Sequence, residues 1–137
     1  MDTLSNSRTG ALRGSIAALM AIAAVTLALA STIHFGVRLG AGQLAIHDPF
    51  PGAAIPEAVI AFVVACGALA VIGRRAAWPV ALGTTLFAVA GVLFGLSITL
   101  GSARTGDVAY HVSVLVVLVV TLCLLVTPAA RRALRRR

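Results

Sequence analysis

Four uninterrupted apolar runs leave this chain few ways to fold. They extend from Ser15 to Phe35, Pro56 to Gly73, Trp78 to Leu100 and Val108 to Thr127. Each approaches or exceeds the roughly 20 residues that an α-helix needs to cross ~30 Å of hydrocarbon. Apolar and polar residues do not alternate within them, so they are not strands of a membrane barrel, whose side chains repeat every second residue. A backbone in hydrocarbon must satisfy its own N–H and C=O groups, and a helix does so within one segment. The expected fold is therefore all-α, a four-helix transmembrane bundle. Composition agrees: 60% of the 137 residues are hydrophobic and 11% are charged, against about 25% charged in a soluble domain.

The runs divide the chain into a polar N-terminal segment, residues 1–14, a bundle spanning 15–128, and a basic tail, 129–137. Helices are expected over about 15–37, 56–73, 78–100 and 108–127. The start has a competing reading. Arg8 and Arg13, an apolar stretch, and Ala28-Leu29-Ala30 before Ser31 are arranged like a cleavable signal. The run continues past that point to Ile33 and is long enough to span, so it is read as a retained helix.

The eleven Lys and Arg positions are all arginines, and against four acidic residues they give a net charge of +7. Arg8 and Arg13 precede the first run, Arg74 and Arg75 join the second to the third, and Arg131, Arg132, Arg135, Arg136 and Arg137 follow the fourth. The alternate connections carry only Arg38 and Arg104. Arginines gather on the cytoplasmic side of membrane proteins. This arrangement predicts both termini in the cytoplasm and the loops Leu39–Ile55 and Gly101–Asp107 outside, in a multi-pass protein of the plasma membrane, here a bacterial cell inner membrane. Trp78 then lies at the inner interface and Tyr110 at the outer one. The Arg tail reads as a topology signal and a contact for anionic lipid, rather than a nucleic-acid site.

Helix boundaries carry their own signals. Pro56 and Pro79 suit first turns, Asp107 suits a cap on the fourth helix, and Pro128 suits its end. Gly91 and Gly95 form a GxxxG stripe, extended by Thr84 and Ala88, that lets another helix approach closely. The partner is either a helix of the same bundle or a second subunit, in a homo-oligomer or a larger membrane complex. Cys66 and Cys123 lie within apolar runs with no CxxC spacing, so buried, inert thiols are expected. In the long outer loop Gly40 and Gly42 loosen the chain while Pro49 and Pro51 stiffen it around Phe50, as in a lid or a plain connector.

Chemistry concentrates on the outer side. His34 ends the first run, Glu57 opens the second, Asp107 and His111 open the fourth, and His47 and Asp48 lie in the outer loop. Every acid except Asp2 is on that side. Asp107 and His111 are four residues apart and share a helix face. Two imidazoles and a carboxylate, from His34, Glu57 and His111, would suffice for a metal ion or a haem, with Asp107 orienting His111. The same residues also fit a structural hydrogen-bond network, since Glu57 near a helix N-terminus is favoured by the helix dipole, or a pocket for a small molecule or lipid headgroup. No Walker A, GxSxG, HExxH or Rossmann glycine pattern is present. The inner halves of the runs hold no ionisable relay, which argues against a proton-coupled transporter acting as a monomer.

The segment Gly95–Leu118 carries the pattern R-T-x-D-x-x-Y-H, as Arg104, Thr105, Asp107, Tyr110 and His111. With IHFG at Ile33–Gly36 and IPE at Ile55–Glu57, it resembles an uncharacterised family of small bacterial four-helix membrane proteins. A weaker similarity, in Glu57 and the Gly73-Arg74 exit, is to DoxX-like membrane proteins. The resemblance implies a shared architecture and supplies no activity. The expectation is an accessory or small-ligand-binding membrane protein, non-enzymatic, with a polar site formed by His34, Glu57, Arg104, Asp107, Tyr110 and His111. The alternatives are a metal- or haem-binding redox protein and an oligomeric transporter or channel subunit.

Overall fold

The computed structural model describes residues 2–40, 46–73, 77–101 and 105–135. Four long helices pack side by side: α1 (Asp2–His34), α2 (Pro51–Gly73), α3 (Ala77–Gly101) and α4 (Thr105–Leu125). A short α5 (Pro128–Arg135) follows. Each long helix contains a segment long and apolar enough to cross a membrane, that of α1 being Ser7–His34. Both sides of the bundle are apolar. Ile16, Met20, Leu27, Val64, Val71, Val92, Leu118 and Leu125 fill the interior. Phe62, Leu69, Phe94 and Val126 are among the large side chains that face outward. Apolar surface on all sides is the pattern of a helix bundle solvated by lipid.

The boundaries depart from the sequence expectation in ways that local chemistry explains. The polar segment 1–14, expected to precede the first helix, is helical from Asp2 and continuous with α1; Leu12 packs against the core and an Arg13 guanidinium N–H donates to the Ala133 carbonyl at 3.5 Å. At the other end α1 stops at His34 instead of continuing to 37. The Gly36 N–H bonds the Ile33 carbonyl, the Val37 N–H bonds the Thr32 carbonyl, and Gly36 has φ +88°. That is a Schellman end, whose left-handed residue favours glycine.

Helix α2 begins five residues early, at Pro51, with the Phe50 carbonyl accepting the Ala53 and Ala54 N–H groups. Pro51, not Pro56, takes the first position, so Pro56 is internal and Glu57 lies in the second turn. Helix α4 starts at Thr105, which puts Asp107 inside its first turn rather than at the cap and His111 in the second turn. Pro128 does more than end α4: it opens α5, and the Thr127 hydroxyl accepts the Ala130 N–H at 3.1 Å as an N-cap.

Helix α5 lays Ala130, Ala133 and Leu134 on the bundle and leaves Arg131, Arg132 and Arg135 exposed. The guanidinium groups of Arg131 and Arg135 each lie 5.0 Å from the centre of the Trp78 ring. The Trp78 indole N–H donates to the Leu125 carbonyl at 2.9 Å. These contacts fasten the tail to the start of α3.

Both cysteines correct the expectation of burial, since Cys66 and Cys123 are exposed on the outer faces of α2 and α4. An apolar run shows that a residue is in hydrocarbon, not which way it faces. The GxxxG stripe faces inward among these helices. A Cβ built on Gly91 would lie 2.5 Å from Ile60 Cδ1 of α2, and one on Gly95 would lie 2.6 Å from His111 Nε2 of α4.

Candidate functional site

Among the described residues, the buried ionisable side chains His34, Glu57 and His111 lie at the end of the bundle where α1 finishes and α2 and α4 begin. His34 is held there by the Schellman end of α1, and its carbonyl accepts the Phe50 N–H at 2.9 Å. That bond folds the connection between α1 and α2 back over the helix end. The same connection is clipped by an antiparallel bridge between Leu39 and Ile46. The Phe50 ring meets His34 edge-on, with centroids 6.0 Å apart. Ser31 donates to the Ala54 carbonyl at 2.7 Å and fixes α1 against α2 at this level.

The closest polar contact is between His34 Nδ1 and Glu57 Oε2, at 2.7 Å. Both residues are about 95% buried. The distance is that of a charge-assisted N–H···O bond, with the imidazole donating. The other ring nitrogen, Nε2, faces Asp107 Oδ1 at 3.9 Å. His34 is therefore bracketed by carboxylates from α2 and α4, the elements packed on either side of it.

His111 is oriented differently from the expectation. The sequence spacing suggested a bond between its ring and the Asp107 carboxylate. Instead its Nδ1 lies 2.7 Å from the Asp107 main-chain carbonyl, while the Asp107 carboxylate turns toward His34. A carbonyl only accepts, so Nδ1 is the donor, and in the neutral ring Nε2 is left as an acceptor. Tyr110 packs edge-on against His111, with centroids 4.9 Å apart, and its hydroxyl is buried with no hydrogen-bond partner.

His34, Glu57, Asp107 and His111 border a cavity of about 220 Å³. Leu27, Ile60 and Val92 form its inner wall. His34, Glu57, Thr99, Asp107 and His111 form its polar end. Gly52 and Pro56 of α2, with Phe94 and Ile98 of α3, reach its surface side. The glycines explain why space exists here. Gly91 and Gly95 present no side chain to it, and a Cβ at either would strike Ile60 or His111. One carboxylate oxygen, Glu57 Oε1, is buried beside the cavity with no hydrogen-bond partner.

Of the six expected site residues, the structure brings His34, Glu57, Asp107 and His111 to the cavity. Tyr110 touches His111 but does not line the cavity, and Arg104 lies outside the described residues. The expected metal trio, His34, Glu57 and His111, does not converge. Glu57 takes one nitrogen of His34, and a main-chain carbonyl takes one nitrogen of His111. Among the described residues, the group whose ligand atoms all lie within 4.8 Å is His34, Asp48 and Asp107. Asp48 joins because the loop folds back, which its place in the sequence did not signal. His47, its neighbour, is exposed. Gly52, Ala53, Phe94, Ile98 and Thr99 were also missed, since nothing distinguishes them from other residues of apolar helices.

The chain matches no protein-family model, no curated protein and no solved structure. Fold and cavity alone define the class: a four-helix bundle of membrane-crossing dimensions with a polar-ended internal cavity.

Proposed function

We propose that this chain is a multi-pass membrane protein, with both termini in the cytoplasm, that binds a small ligand in the cavity among α1–α4. The observation that carries this reading is the union of about 220 Å³ of space with a buried carboxylate oxygen that has no partner. A site with apolar walls and a few placed polar groups is the usual form of a small-molecule pocket. The orientation is supported by Arg8 and Arg13 near the start of α1 and by Arg131, Arg132 and Arg135 exposed on α5. Those exposed arginines also suit the anionic lipid of a cytoplasmic leaflet, at about 1 kcal/mol each.

The test is to purify the protein in nanodiscs, extract it with organic solvent and analyse the extract by mass spectrometry. A stoichiometric small molecule is expected from the wild type and not from Ala53→Phe, which fills the cavity from α2. Equal recovery from both proteins would remove the cavity from the argument.

A second reading is favoured by the convergence of His34, Asp48 and Asp107. One imidazole nitrogen and two carboxylates suit a divalent cation such as Zn²⁺ or Mn²⁺. Elemental analysis separates the readings: a metal lost in Asp48→Asn but kept in Ala53→Phe supports the cation, and metal-free wild type dismisses it.

A further inference from the structure

We infer that the cavity takes the head of an amphipathic molecule that donates a hydrogen bond and brings no negative charge, such as a long-chain alcohol or amine. Its apolar chain leaves sideways between α2 and α3. This rests on the ligand-binding reading above and adds the ligand's chemistry and route.

The polar end offers acceptors. Glu57 Oε1 is buried and unpartnered, while its sister oxygen is taken by His34. His111 Nε2 is an acceptor in the neutral ring, because Nδ1 is committed to the Asp107 carbonyl. Pro56 has no N–H to return to the carbonyl four residues earlier, at Gly52, which also lines the cavity. Three acceptors on residues that border one space suit a donor. A carboxylate or phosphate head would set its own lone pairs against them.

Size and depth give the rest. A cavity of ~150 Å³ holds a benzene molecule, so about 220 Å³ holds a head and a short piece of chain but not a whole lipid. The remainder must leave by the surface side, past Gly52 and Pro56 of α2 and Phe94 and Ile98 of α3. Phe94 and Ile98 are 66% and 49% exposed. Phe94 lies seven residues before Gly101, the end of α3, which is about 10 Å along the axis at ~1.5 Å per residue. At that depth, in a helix that spans, the opening faces acyl chains rather than water.

The experiment uses the full chain in nanodiscs and a dodecanol probe carrying a diazirine at mid-chain. Photolysis and peptide mapping should place adducts mainly on α3 near Phe94 and Ile98, and on α2 near Pro56. Dodecan-1-ol and dodecylamine should displace the probe at about tenfold lower concentration than dodecyl methyl ether or dodecanoate. Glu57→Gln, isosteric and able to turn an amide N–H into the cavity, should reduce the alcohol-to-ether preference to about threefold or less. Ala53→Phe should abolish the focused adducts.

Adducts spread evenly over the four helices, or an ether that competes as well as the alcohol in the wild type, would overturn the inference. Persistence of focused adducts in Ala53→Phe would instead overturn the cavity reading beneath it. If a molecule co-purifies from the wild type but carries a carboxylate or phosphate head, the cavity reading stands and the donor inference falls.

Discussion

Substituting Gly95 by alanine tests the packing that builds the cavity. The new Cβ would lie 2.6 Å from His111 Nε2 and 3.1 Å from Cδ2. Ordinary contact between heavy atoms lies near 3.5 Å, so the ring or the helix must move by roughly 1 Å. The ring has little freedom, being buried and tied through Nδ1 to the Asp107 carbonyl at 2.7 Å. Breaking that bond in a buried place costs about 1–3 kcal/mol. Replacing a mid-helix glycine by alanine returns up to about 1 kcal/mol. The net expectation is a loss of up to about 2 kcal/mol, and about 1–3 kcal/mol relative to a glycine-to-alanine change with no obstacle, read from reversible unfolding in mixed micelles with the single tryptophan, Trp78, as reporter. Gly83→Ala on the same helix is the control, because its added Cβ meets nothing within 4 Å beyond its chain neighbours and its own helix backbone; it should be neutral or slightly stabilising. In a His111→Ala background the obstacle is gone, and Gly95→Ala should cost nothing. An equal cost at Gly83 and Gly95, or an undiminished cost at Gly95 without His111, would refute the close approach of α3 to α4.

Three further outcomes are expected. His34→Ala strands the buried Glu57 carboxylate and should cost about 3 kcal/mol; the double change His34→Ala/Glu57→Ala should cost less than the two singles summed, and additivity would show that the 2.7 Å pair is not formed. Trp78→Phe removes the indole donor to the Leu125 carbonyl but keeps a ring beneath Arg131 and Arg135, so a loss of about 1 kcal/mol in the same unfolding assay is expected. In sealed vesicles a membrane-impermeant maleimide should modify neither Cys66 nor Cys123, which are outward-facing within spanning segments, yet should modify both after denaturation in SDS; rapid labelling in vesicles would place those faces in water.

The site shows how far pattern reading reaches. His34, Glu57, Asp107 and His111 stand out in sequence because they are ionisable residues at the edges of apolar runs, and such groups are costly enough in hydrocarbon to draw notice. Their pairing was not legible. The i,i+4 spacing of Asp107 and His111 favours a side-chain contact, but the Asp107 carbonyl lies equally close to His111 and takes its Nδ1. The carboxylate is thereby left for His34, on another helix. Asp48 enters only because Phe50 bonds the end of α1 and turns the loop over it.

The sequence by itself determined four apolar helices, since hydrocarbon demands that each segment satisfy its own backbone and only runs of this length reach across. It also determined that the histidines, and every acid except Asp2, gather at one end. Tertiary structure decided which faces are buried, because the runs are apolar on every side and carry no polar face to orient them: Cys66 and Cys123 face outward, while Gly91 and Gly95 face inward. It decided, too, that the glycine stripe meets Ile60 and His111 and leaves a cavity, because the fit of one helix against another depends on distances between residues far apart in the chain.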